Sequence, residues 1–479
     1  MGFFEFIGYD RHGSVKEIPT TLSKGKLGTG SVTLAALGFN APAWVAASSM
    51  SILYSIVGHA APLTILIAYF FPMLILAFSM VYLTRQAPSA AGIFTFANRF
   101  IHPNMATILG WTYIVACAMV TPMTAVIGSE YIQALFPALQ GDLAAKVIGT
   151  VMLLVFLMVS LGGIETTAKI AGVFLAFEIT VVAGLGLLGI LNPHVQGLSF
   201  ASLYSVADAG GWKVIGVGVM FGVWMMANFD SAINLIEEAK TPVRTVQRSM
   251  ILVLSIAFIV YSLAAIGWQY AVPVETLSSI VEGGDGGPIA AVAKVYLPPS
   301  LSWIAIFVVI TSAAAGLQIS LTSGARTAYR MSQEGHLPKL LGTINAAKVP
   351  WISTVLIILS SILIIWVKPL AKLQWYYDVI TITLVMSYIS ALVAFIIAMF
   401  KRYSIGVGLL ASLLPLLAIG ILGYIGYTAG ATPVSPEDLY NAWYLGAGVI
   451  ITGIMWVIYG KMKKTRSISI KAEATAGGK

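Results

Sequence analysis

An all-helical membrane protein follows from three features of this sequence: too little charge, long apolar runs and no alternating strand pattern. Of the 479 residues, 58% are hydrophobic and 10% charged, where a soluble protein carries about 25% charge. That shortfall excludes a soluble enzyme, a disordered chain and a nucleic-acid binder. The mean hydropathy of +0.90 names lipid as the solvent. Breaks at charges, Pro/Gly clusters and polar runs leave twelve apolar segments: 29–57, 62–84, 106–136, 146–162, 166–191, 213–236, 249–272, 301–326, 351–367, 376–400, 405–428 and 440–460. Each is long enough, or nearly so, to cross a hydrocarbon core of roughly 30 Å at 1.5 Å per residue. The ten-residue alternation of a membrane barrel is missing, so helices are left to satisfy the backbone in lipid.

Twelve crossings place both termini on one side, and the basic residues choose the side. Twenty-two of the 27 Lys and Arg fall on the side of the termini; Lys146, Lys213, Lys294, Lys368 and Lys372 fall on the other. The asymmetry predicts cytoplasmic termini in the cell membrane. It also accounts for the net charge of +8 without a nucleic-acid partner. The expected organisation is a cytoplasmic tail over 1–28, a transmembrane domain over 29–460 and a second cytoplasmic tail over 461–479, with SISIKAEATAGGK at its end read as disordered. The longest outer connection, about 273–300, contains GGDGG, read as a flexible turn. A single cysteine, Cys117, excludes an intrachain disulfide, and none of the five histidines has metal-ligand spacing. No cofactor, metal or catalytic set is expected.

Charge inside a membrane span needs a reason. Glu130 and Asp378 lie toward the outer boundary, within expected reach of water. Glu178 and Asp230 are central. Helix continuity is broken as well. In LGFNAPAW, Pro42 removes a backbone donor and clashes with the preceding turn, Gly38 permits deviation and Asn40 is a capping type. In ANFDSA, Asn228, Asp230 and Ser231 are capping types inside an apolar run. Helices one and six are therefore both expected to be interrupted. Interruptions at matching places in two halves mark the binding site of a secondary transporter. One new helix end offers free N–H groups to a carboxylate; the other offers free C=O groups to an ammonium or a cation.

Three stretches carry a resemblance. PSAAGIFTFANR (88–99) is similar to a P-x-x-G-G-x-Y-x-Y segment after helix two, with Ala91-Gly92 and aromatic Phe94 and Phe96 at the corresponding places. FDSAINLIEEAKTPVRTVQR (229–248) matches a helix-six ending, and SGARTAYRMSQEGHLP (323–338) a helix-eight ending. Together they resemble the amino acid–polyamine–organocation superfamily of secondary transporters. The resemblance implies a five-plus-five inverted repeat of the leucine-transporter type with two appended helices. It also implies a substrate site between the breaks of helices one and six. By position, Gly38, Phe39, Asn40 and Ala41 stand where the family has G-S/A-G-I, so Phe39 and Asn40 replace small residues. Trp224 stands where relatives carry an aromatic gate, with packing as its plainer reading. Ala227, Asn228 and Asp230 complete the helix-six side. Asp230 is read either as an N-cap or as the group that binds an amine or a proton.

Glu178 falls where several sodium-independent relatives carry a lysine in place of a sodium ion. Three readings stay open: a proton-coupling carboxyl group, a carboxyl bonded to a hydroxyl of a neighbouring helix, and a sodium site completed by Thr322 and Ser323. Glu237, Glu238, Lys240, Arg244 and Arg326 are expected to form ion pairs at the inner mouth, with Glu237 and Arg326 as gate residues. Thr311, Ser312, Gln318 and Ser320 are candidates for the pathway. The expected function is secondary active transport of an amino acid by alternating access, with protons as the coupling partner or by exchange. The alternatives are a polyamine or other organic-amine carrier and a sodium-coupled amino acid symporter. The expected partners are a small-molecule substrate, protons and membrane lipid.

Overall fold

The twelve apolar segments are mostly helical among the described residues. The computed structural model of the chain describes residues 25–280, 286–367, 373–431 and 440–476. The chain opens with α1 (Thr29–Asn40), α2 (Pro42–Val57), α3 (Ala61–Ala68), α4 (Leu74–Gln86) and α5 (Gly92–Phe96). Long helices follow as α6 (Pro103–Leu135), α7 (Asp142–Leu161), α8 (Ile164–Leu191) and α9 (Trp212–Met225). After a 3-10 run at Phe229–Glu238 come α10 (Pro242–Ala271), the short α11 (Val274–Ser279) and α12 (Gly287–Tyr296), and α13 (Trp303–Gln333). The chain ends with α14 (Trp351–Val367), α15 (Leu373–Arg402), α16 (Ile405–Ala431) and α17 (Asn441–Ala476). Among the described residues, ten helical stretches are long and apolar enough to cross a membrane, and α14 is a shorter apolar helix.

The first of those stretches, Thr29–Gln86, has 58 residues. That is about 87 Å of helix, far beyond one hydrocarbon core. It is divided by Ala41, by a 3-10 turn at Gly58–Ala60 and by a π turn at Tyr69–Met73 that absorbs Pro72. The expected single helix over 62–84 is therefore α3 and α4 joined through that turn, because a proline inside a helix forfeits one hydrogen bond.

Helices α6 and α13 pack side by side along much of their length and are the most enclosed; α7, α16 and α17 keep most of their surface outward. Helix α10 lies against α8 where Gly186 and Gly189 meet Gly267. A Cβ at Gly267 would collide with the Gly186 carbonyl, so only glycine lets these backbones touch.

Two expectations about connections change. The 273–300 connection contains helices α11 and α12. Residues 281–285, most of the GGDGG turn, lie outside the described residues, as does 1–24. The C-terminal tail read as disordered continues α17 to Ala476. Its KAEATA run has the helix formers Lys, Ala and Glu in five of six places.

Candidate functional site

Helix one breaks at one residue. Gly38, Phe39 and Asn40 remain within α1 and are buried, so Gly38 is not where the backbone deviates. The departure is at Ala41, left-handed with φ 47° and ψ 64°. A non-glycine residue there costs about 1–2 kcal/mol. The cause is Pro42, the first residue of α2, which forces its predecessor out of the right-handed region. The N–H groups at the break are accounted for. Ala41 N–H donates to Leu37 O (3.1 Å), and Val45 N–H to Ala41 O (2.9 Å). Pro42 has no N–H. Ala43 N–H points to Glu178 Oε2 at 3.5 Å, and Trp44 N–H donates to Ser312 Oγ at 3.0 Å.

Helix six breaks over a longer stretch. Helix α9 ends at Met225, Asn228 is left-handed at φ 67°, and Phe229–Glu238 continues as ten residues of 3-10 helix. Asn40 reaches across from α1. Its Nδ2 donates to Met225 O (2.7 Å) and Ala227 O (3.0 Å), and its Oδ1 accepts from the Tyr261 hydroxyl of α10 (2.7 Å). The two breaks are thus tied to each other by one side chain. Tyr388 of α15 ties the far side: its hydroxyl accepts from Asn228 N–H (2.8 Å) and donates to Asp230 Oδ1 (2.9 Å). Asp230 therefore bonds to α15; the N-cap residue of the 3-10 run is Asn228, without a side-chain cap. Ala227 and Asp230 are buried, whereas Trp224 and Asn228 are part-exposed. The Trp224 ring meets Tyr377 edge-on at 5.5 Å, one turn before the break.

Glu178 is fully buried beside the amino end of α2. Ser312 on α13, whose Oγ accepts from Trp44 N–H, also stands beside the carboxyl group. Tyr261 stands close enough to feel its charge. Oε1 has no hydrogen-bond partner. Glu178 thus joins α8, α2 and α13 at the point where α1 gives way to α2.

A second cluster, of charged residues and here termed the mouth, lies at the end of the 3-10 run. Arg326 pairs with Glu238, both buried. Glu237 accepts from Ala90 N–H (3.3 Å) and lies 3.8 Å from Arg330 Nη1. The two residues expected at a gate, Glu237 and Arg326, thus belong to two separate pairs, Glu237 with Arg330 and Arg326 with Glu238. Consecutive residues of a 3-10 turn point about 120° apart, and only Glu238 faces α13 at Arg326. Lys240 and Arg244 make no ion pair among the described residues. Backbone bonds complete the cluster. Lys26 and Leu27 N–H groups donate to Glu238 O (2.8 and 3.0 Å), and Lys240 N–H donates to Leu27 O (2.8 Å).

A family model for amino acid permeases matches residues 30–459, through both breaks and the mouth. The chain belongs to this amino acid permease family. The permease is 26% identical over 270 residues to the D-serine/D-alanine/glycine transporter of Escherichia coli (strain K12), covering 53% of this chain and 54% of that one. It is 25% identical over 289 residues to human solute carrier family 7 member 13, covering 58% and 59%. It is 23% identical over 294 residues to the glutamate/serine transporter AimA of Bacillus subtilis, covering 57% and 53%. The chain spans a little over half the length of these curated relatives. The family is one of multi-pass membrane transporters, not enzymes.

Other polar residues of the permease serve as ties between helices. Gln318 donates to Ser160 Oγ (2.7 Å) and Ser320 bonds Thr121 (3.0 Å). Thr311 and Thr322 give their hydroxyl protons to carbonyls of their own helix. Asp378 is buried, so the water access expected for it is not found. Tyr261, Tyr388 and Arg330 were missed: two tyrosines in apolar helices look like core, and Arg330 looks like a solvated helix end. A four-residue spacing from Arg326 was the available signal for Arg330.

Proposed function

We propose that this permease carries an amino acid across the cell membrane by alternating access. The observation that supports this most is the Asn40 tie, which brings the breaks of helices one and six together. The proposed unit is residues 29–460, twelve crossings arranged as a five-plus-five inverted repeat with two appended helices. The segments 1–28 and 461–479 lie in the cytoplasm, and so does the charged mouth. Substrate binds among Gly38, Phe39, Asn40, Ala41, Ala227, Asn228 and Asp230, with Trp224 over it. Gate opening separates Arg326 from Glu238 and Glu237 from Arg330. The relatives named for D-serine, D-alanine, glycine, glutamate and serine support a small amino acid as the cargo.

Glu178 is the proposed proton carrier. It is shielded from solvent, it lies against the helix-one break, and the groups facing it are Ser312, Tyr261 and the Ala43 N–H. Rocking of α2 changes its access to water and hence its proton occupancy. The test is uptake into liposomes of purified protein, against a panel of amino acids and amines, with imposed pH or sodium gradients. Glu178→Gln is expected to abolish accumulation driven by the pH gradient while substrate exchange persists. Accumulation equal to wild type removes Glu178 from that role, and dependence on sodium alone replaces the proton. A second reading, an organic-amine carrier, is favoured by two buried carboxyl groups, Glu178 and Asp230, at the breaks. Inhibition of alanine uptake by putrescine alone would select it.

A further inference from the structure

Each open end of the interrupted helices is filled by a side chain that resembles half of an amino acid. At the amino end of α2, the Ala43 N–H points at a carboxylate, Glu178. At the carboxyl end of α9, the Met225 and Ala227 carbonyls share the two N–H donors of one amide, Asn40. An ammonium group offers the same carbonyls the same kind of donor. The fit is loose on the carboxylate side. The Ala43 contact is long, at 3.5 Å, and Glu178 Oε1 is buried without a partner. A buried oxygen left unsatisfied favours departure of the group that carries it.

We propose that Asn40 and Glu178 are internal competitors of the transported solute, the amide standing in the place of a substrate ammonium and the carboxyl group in the place of a substrate carboxylate. The proposal rests on the helix-break site argued above and narrows its cargo to a zwitterion. An amine alone displaces Asn40 and leaves Glu178 on α2. A carboxylate alone can challenge Glu178, with Asn40 still closing α9. Only a solute with both groups empties both ends. The substrate-free protein is stabilised at its own binding site, so the competent state is a minor one and the apparent affinity is lowered by its fraction.

Asn40→Ala removes the two donors and adds no bulk or charge. In proteoliposomes the KM for alanine is expected to fall about three- to tenfold, the effect of losing ordinary hydrogen bonds from the substrate-free state alone. The substrate-free variant melts at a lower temperature than wild type, and alanine raises its Tm by more. A purely structural Asn40 gives the lower Tm with an unchanged or higher KM, and that result overturns the proposal. If Asn40→Ala does not fold, Tyr261→Phe decides instead. It frees the amide without touching the carbonyls and must lower KM in the same direction; an unchanged or raised KM overturns the proposal equally. Ethylamine and propionate, the two halves of alanine, are expected to compete poorly at concentrations where alanine saturates. Inhibition by ethylamine equal to that by alanine overturns the zwitterion. The site itself is tested separately with Ala227→Cys, since Cys117 is the single natural cysteine and is buried. Alanine should slow modification of the new thiol. A rate that alanine leaves unchanged overturns the site, whereas protection together with an unaltered KM in Asn40→Ala overturns only the competitor role.

Discussion

The junction of the two broken helices and the charged mouth lie along the same 3-10 segment, yet they are held by different chemistry. At the junction the ties between elements are mostly neutral: an asparagine amide on two carbonyls, tyrosine hydroxyls on Asn40 and Asn228, a serine on Trp44. At the mouth they are ionic: Arg326 on Glu238 and Arg330 beside Glu237. Neutral ties can be exchanged for equivalent bonds to a solute at little net change. A buried ion pair cannot be opened without rehydrating both charges. On the function proposed above, the junction would serve exchange and the charged mouth would serve as the latch.

The strongest way to break this contrast is at the latch. Arg326→Ala leaves Glu238 as a buried, uncompensated carboxylate, which costs about 3–5 kcal/mol in comparable pairs. The expected outcome is a large loss of thermal stability in detergent, and leakier transport in whatever fraction folds. Restoring a neutral pair with Arg326→Gln and Glu238→Gln together should recover much of the stability but not the tight closure. A single variant as stable as wild type would show that the mouth is wet and the pair contributes little.

A smaller effect is expected at the junction. Tyr388→Phe removes one hydroxyl that serves both Asn228 N–H and Asp230. The cost is about 1–3 kcal/mol for the donor and acceptor left unsatisfied, read as a drop in Tm. Adding Asp230→Asn should make the two losses less than additive, since the residues share that bond. Full additivity would place Tyr388 and Asp230 in separate roles.

The same contrast governs what could be read without the fold. The membrane class was legible because apolar length is a one-dimensional property. The helix-one break was legible because Pro42 acts on its immediate neighbour. Glu237, Glu238 and Arg326 were legible as charged residues of the mouth, whereas Arg330 was not. Nor was the pairing, because Glu237 and Glu238 are adjacent and only the 3-10 geometry decides which one meets Arg326. The Asn40 tie spans 185 residues to Met225, and nothing local marks it. Tyr261 and Tyr388 carry single hydroxyls on otherwise apolar helix faces, so their polarity is invisible to periodicity. The site's outline came from backbone chemistry; its occupants came from packing.

The smallest effect tests whether charge near the mouth matters outside the latch itself. His336 follows α13, with its ring edge-on to Phe94 at 4.9 Å and Nδ1 2.6 Å from Thr107 Oγ1. Burial disfavours the imidazolium and holds its pKa below the ordinary value of 6.5, against the pull of Glu334. The unfolded chain therefore takes up this proton first as pH falls. The stability contributed by His336 is complete above about pH 6.5 and is lost as pH drops from there toward the folded value. Wild type should lose about a degree more of Tm between pH 7 and 5.5 than His336→Gln, which cannot titrate and keeps a polar partner for Thr107. The variant's KM for alanine should not change, because the ring touches the mouth's supports and not the junction. Equal pH dependence in the two proteins would mean that the imidazole is solvated in solution, and a changed KM would mean that the two regions are coupled more tightly than their separate chemistries imply.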